Sequence, residues 1–134
     1  MTLRSSDKGV LSDQRGFSLL EMLLVVSIVG VLAAVAVPRF NNAIIMANTS
    51  RVQADLQVLN SAIVMYQAEK GKYPTAISEL GDYVQDIGNV RPPKGKCSLR
   101  KEEAIDVDDA AYGIADGEAT CEGKKLSEFG RKEN

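Results

Sequence analysis

With 134 residues, a formal net charge of −2 and 25% charged side chains, the chain has about one small domain's length and no basic excess to draw it to nucleic acid. It has no histidine, which removes imidazole triads and histidine metal sites, and no glycine-rich phosphate loop ending in Gly-Lys-Ser/Thr. No catalytic residue, metal or cofactor is therefore expected.

Residues 1–16, MTLRSSDKGVLSDQRG, read as a polar leader with little reason to fold. Its three basic residues, Arg4, Lys8 and Arg15, favour a cytoplasmic N-terminal side; Arg39 weakens that bias without reversing it. Asp7 and Asp13 also lie in the leader, so residues 17–134 alone would carry a charge of −3.

Residues 17–37, FSLLEMLLVVSIVGVLAAVAV, are apolar apart from a few small polar side chains and one charge, Glu21. As a helix this run would span roughly 31 Å, enough for one crossing of a bilayer's hydrocarbon layer. The small-residue cleavage site that follows the apolar stretch of a secretory signal peptide is missing. A lone carboxylate near the centre of a membrane helix costs roughly 2.5–3.5 kcal/mol, so Glu21 is expected to have a functional role.

The stretch Arg15-Gly16-Phe17-Ser18-Leu19-Leu20-Glu21-Met22-Leu23 resembles the processing motif of type IV prepilins and of the pseudopilins of type II secretion and competence systems. The resemblance implies cleavage by a prepilin peptidase between Gly16 and Phe17, N-methylation of Phe17, and Glu21 as the acid that meets a neighbouring subunit's new amine and sets register in a filament. Gly30 and Pro38 match the helix-perturbing residues of many relatives. It also implies a pilin-like α+β fold, with a long N-terminal helix, transmembrane in its first half, packed on a small C-terminal antiparallel sheet. Implied partners are copies of the chain, minor pilins or pseudopilins, the peptidase and an inner-membrane assembly platform. Before assembly the subunit would cross the inner membrane once, N-terminus in and C-terminus out; afterwards it would lie in an extracellular pilus or an envelope-spanning pseudopilus. A monomeric, single-pass binding module that keeps its N-terminus is the rival from another class.

Four segments follow: the leader 1–16, a hydrophobic assembly helix 17–38, its amphipathic continuation 39–71, and an exported region 72–134. Gly30 and Pro38 make the interval between them the weakest part of the helix. Beyond it, Ile45, Val52, Leu56, Leu59, Ile63 and Tyr66 form a helical apolar stripe, with Arg51, Asp55, Gln57 and Asn60 on the opposite face. The sheet is the first expected partner of the stripe, and neighbouring helices the second. Lys70 and Gly71 mark the helix stop. Tyr73, held extended by Pro74, is expected to fold back on the helix end, and Thr75 to cap a short helix closed by Gly81.

Residues 82–96 read as an irregular connector packed through Tyr83, Val84 and Ile87. The basic 91–96 loop, RPPKGK, reads as a solvated turn, having no aromatic interleaved for nucleic acid. Candidate strands are 97–99, 105–107 and 111–115, with 118–121 as an edge, and 127–134 reads as a frayed tail from which only Phe129 docks. Asp106, Asp108 and Asp109 lack EF-hand spacing and read as a solvated turn, although some secretion pseudopilins bind calcium through a C-terminal loop. Outside the cytoplasm Cys97 and Cys121 can form a disulfide, with free thiols as the alternative.

Overall fold

The computed structural model describes Thr2 and residues 16–134; most of the expected leader therefore lies outside the described residues. One helix, α1 (Leu19–Lys70), contains both Gly30 and Pro38. The chain divides after Val37 into two compact units.

In the first unit no residue of α1 is buried, and its most apolar 18-residue window has a mean hydropathy of 2.6. This helix is long and apolar enough to cross a membrane.

In the second unit, Pro38–Asn134, the continuation of α1 buries the expected stripe: Val52, Leu56, Leu59, Ile63 and Tyr66 all enter the core, and Ile45 is half-buried. Gly71 stops the helix in a left-handed conformation at φ 70°, its N–H donating to the Gln67 carbonyl at 2.8 Å. A 3-10 turn at Ile77–Leu80 follows. Thr75 is not its cap, since the residue before the turn is Ala76; Glu79 instead reaches back to accept the Thr75 N–H at 2.7 Å. A second 3-10 turn, Ile87–Asn89, lies within the connector, where Val84 is buried and Tyr83 and Ile87 pack on the core.

The C-terminal strands are all antiparallel and form two sheets. β1 (Lys96–Cys97) pairs with β2 (Ile105–Asp106), and β3 (Tyr112–Ala115), β4 (Glu118–Cys121) and β5 (Lys124–Lys125) form a three-stranded meander. The expected edge at 118–121 is thus the central strand, because β5 covers its other side through Thr120↔Lys125 and Cys121↔Lys124. Two tight turns make this arrangement. Asp116-Gly117 and Glu122-Gly123 all have positive φ, the geometry whose twist suits two-residue hairpins.

Gly117 is doubly constrained. Its φ is 75°, and a Cβ there would lie 2.8 Å from the ring of Tyr73. Tyr73 therefore folds over the β3–β4 turn, where the absence of a side chain at Gly117 leaves room for its ring. Gly117→Ala should lower the unfolding free energy by about 1–2 kcal/mol through the left-handed backbone alone, with more from the ring clash. Thermal unfolding of the variant checks this, and an unchanged midpoint contradicts it.

The expected frayed tail is instead docked. Phe129 is fully buried and bridges to Leu99. The Gly130 N–H donates to the Ser98 carbonyl and the Glu133 N–H to the Arg100 carbonyl. Sequence patterning showed a charged tail, whereas backbone pairing with 98–100 decides its position.

Candidate processing and assembly site

Gly16 and Phe17 precede α1 in non-helical, exposed backbone, and Phe17 is 78% exposed. Nothing lies within 4 Å of where a Gly16 side chain would stand. The peptide between them is therefore open to an enzyme that needs an extended backbone.

Ser18 is the residue before the helix, and Glu21 lies in its first turn. The Ser18 N–H donates to Glu21 Oε2 at 2.9 Å, and the Glu21 N–H donates to Ser18 Oγ at 3.2 Å. This is a reciprocal capping box, which satisfies two N–H groups that a helix start leaves without partners. The positive end of the helix dipole further favours the carboxylate there. Sequence reading supplied no partner for Glu21 within the apolar run; the Ser-x-x-Glu spacing was the signal that identifies one. Beyond it, Leu19, Leu20, Leu23, Leu24, Val31 and Leu32 are all at least 60% exposed, so these apolar side chains have little cover among the described residues. Gly30 has open space around it, and Pro38 sits within α1 at the start of the second unit.

The prokaryotic N-terminal methylation motif matches residues 11–37. Two Neisseria gonorrhoeae sequences of type IV major pilin protein PilE1 are each 32% identical over 124 residues, covering 90% of this chain and 65% and 71% of those proteins. The chain belongs to the type IV pilin and pseudopilin family. The Myxococcus xanthus type IV major pilin protein PilA is 32% identical over 75% of this chain and 46% of its own length. Type II secretion system core protein G of Klebsiella michiganensis is 40% identical over 47% of this chain and 44% of its own length. Against most of these relatives the chain thus spans less than two thirds of their length. No solved structure gives a significant match.

Within the second unit the C-terminal region is held in register on α1 by polar side chains as well as by the apolar stripe. Asn48 Nδ2 donates to the carbonyls of Lys94 and Lys96, Thr49 Oγ1 accepts the Ser98 N–H at 2.8 Å, and Gln53 Nε2 donates to the Phe129 carbonyl at 2.9 Å. Higher up, Asp55 accepts the Tyr112 hydroxyl at 2.6 Å, and Asn60 accepts the Ala119 N–H at 2.7 Å. Asp55 and Asn60 were expected on the face opposite the stripe. They flank it instead, and their side chains reach backbone and hydroxyl donors of the meander. Burial, together with the Asp55 carboxylate, pushes the Tyr112 phenol far above its usual range, so the hydroxyl remains the donor of this bond. No buried side-chain nitrogen or oxygen among the described residues lacks a partner.

Sequence reading also missed an outward apolar row on the same helix. Phe40, Ile44, Val58 and Met65 fall near one face and are all more than half exposed. Cys97 on β1 and Cys121 on β4 are both fully buried thiols in the one core. Burial pushes Cys97 up to about 11 and Cys121 up to about 12, the nearby Cys97 contributing to the second shift. Among the described residues no three metal-ligating side chains converge, and Asp108 instead accepts the Gly95 N–H.

Proposed function

We propose that this chain is a structural subunit of a type IV pilus-like or pseudopilus filament. A prepilin peptidase cuts between Gly16 and Phe17, Phe17 is N-methylated, and the subunit is stored as a single-pass membrane protein until an inner-membrane platform adds it to the fibre. The observation that carries the reading is the uncovered apolar helix of the first unit joined to a second unit that folds around its own core. A bilayer covers such a helix before assembly, and the helices of other copies, with minor pilins or pseudopilins, cover it afterwards. Apolar burial at roughly 25 cal/mol per Å² would supply the cohesion, and Glu21 the register against a neighbour's amine. Gly30 and Pro38 would let the helix yield during packing. No specific nucleic acid is a proposed partner.

A secretion or competence pseudopilus is the second reading, favoured by the similarity to core protein G. The similarity to the gonococcal pilins extends over 90% of the chain and supports a pilus subunit instead. The discriminating experiment shears native cells and labels the released material with antibody to residues 72–134. Fibres labelled along their length support the filament reading. Antigen confined to a membrane monomer supports the single-pass anchor.

After export, Cys97 and Cys121 would be oxidised to a disulfide closing a 25-residue segment, counted inclusively. Chain entropy puts its contribution near ~3.5 kcal/mol. Reductant should therefore destabilise the exported wild type by about that amount and leave Cys121→Ser unaffected. Denaturant unfolding with and without reductant checks this; equal wild-type curves contradict the bond.

A further inference from the structure

Gly16 alone among the residues at the Gly16–Phe17 peptide disfavours a helix, since neither Phe17 nor Ser18 is a proline or a charge. α1 nevertheless begins at Leu19, and the first carbonyl of its ladder is that of Ser18, which accepts the Met22 N–H at 3.1 Å. One residue further upstream, helix geometry would send the Glu21 N–H to the Phe17 carbonyl, four residues back. Ser18 Oγ accepts that N–H instead, at 3.2 Å.

The other half of the capping box works in the same direction. The Ser18 N–H donates to Glu21 Oε2 at 2.9 Å, which ties the serine to the first turn. Gly16 and Phe17 are left in exposed, non-helical backbone, with open space where a Gly16 side chain would stand. Away from water an N–H without an acceptor is costly, so a helix start at the edge of a bilayer must find one. Without the serine hydroxyl, the acceptor that helix geometry offers to Glu21 is the Phe17 carbonyl. Once that bond forms, the Leu20 N–H can bond the Gly16 carbonyl in turn, and the helix takes up the peptide that a peptidase would attack.

We infer that Ser18 is a positioning residue for processing, an inference that deepens the processing reading above and rests on it. By capping α1 it holds the Gly16–Phe17 peptide extended, with the Gly16 carbonyl free of the helix. Hydrolysis adds the hydroxyl of a water to the Gly16 carbonyl carbon and its proton to the Phe17 nitrogen, which leaves as the new amine. Ser18 takes no part in that bond change; it sets the fraction of chains whose peptide is ready to be bound. An alanine at the N-cap weakens a helix start by a factor of about five, whereas threonine, asparagine and glycine are accepted there. A smaller ready fraction raises KM and leaves the saturated rate unchanged.

The test presents the full, uncut chain in neutral-detergent micelles to a purified prepilin peptidase and follows release of residues 1–16 by mass spectrometry. S18A should raise KM about fivefold at unchanged kcat, while S18T, S18N and S18G stay within about twofold of wild type. E21Q, which keeps an oxygen for the Ser18 N–H, should also be cut like wild type. The carbonyl chemical shift of isotope-labelled Phe17 in the same micelles reads the helix start without the enzyme, and among the Ser18 variants it should move toward the helical value in S18A alone. Equal kinetics for S18A and wild type overturn the inference, as does a Phe17 shift that stays in place in S18A. A loss in S18G as large as in S18A overturns it too, because the peptidase would then be reading the hydroxyl itself, and so does a fall in kcat with KM unchanged. If the processing reading fails instead, wild type and every variant stay uncut at Gly16–Phe17; if only the role of Ser18 fails, all are cut alike.

Discussion

Phe129→Ala should lower the unfolding free energy of the second unit by about 3–5 kcal/mol. The side chain is fully buried, bridged through its backbone to Leu99, and belongs to the one core that also holds Leu56 and Val52. Truncation would remove the ring and leave a cavity. The backbone around it is fixed, since the Phe129 carbonyl accepts from Gln53 Nε2 and Arg100 Nε and its N–H donates to Leu126, so collapse into the space is limited. In a domain of this size a loss of 3 kcal/mol corresponds to a melting shift of roughly 12–24 °C. Thermal unfolding of the detergent-solubilised chain checks the value, with Lys132→Ala, at an exposed site, expected to change it by less than about 0.5 kcal/mol. A loss under about 1 kcal/mol for Phe129→Ala would mean that the C-terminal segment does not hold the core closed.

Glu21→Ala should leave the chain in the membrane and remove it from fibres. Losing the reciprocal cap with Ser18 costs about 1 kcal/mol at the helix start, while removing the carboxylate relieves the cost of carrying a charge into the bilayer, so anchoring should be unharmed. Under the proposed assembly, filament growth would lose the acid that pairs with the amine of a neighbouring Phe17. The cap allows a sharper version of the experiment. Glu21→Gln keeps a side chain that can accept the Ser18 N–H but carries no charge. If the residue only caps the helix, Gln supports normal fibre yield; if it pairs with an amine, Gln fails nearly as completely as Ala. Immunoblots of membrane and sheared fractions distinguish the two, and full fibre yield from Glu21→Ala contradicts the assembly role.

The helix and its buried stripe were legible because their signals are periodic and local. Leu56, Leu59 and Ile63 fall at three- and four-residue spacings, and Gly71 supplies the conformation that ends the helix. The N-terminal motif was legible because Gly16, Phe17 and Glu21 stand immediately before and within an apolar run. The small strands were harder to read. β1, β2 and β5 have two residues each, too short to show alternation, and β5 is placed by the Glu122-Gly123 turn rather than by its own side chains. Long-range polar contacts were not legible at all: nothing in the spacing of Asn48, Gln53 or Asn60 tells which backbone groups more than 40 residues away they will meet. Tyr73 illustrates the same limit, since its site is a gap over Gly117 that exists only once the β3–β4 hairpin has formed.

Mass analysis of the N-terminus in native sheared material tests the central claim most directly, because the proposed route from bilayer to polymer begins by freeing the amine of Phe17. The predicted product begins at N-methylated Phe17. Functional fibres whose subunits still begin at Met1 would contradict it.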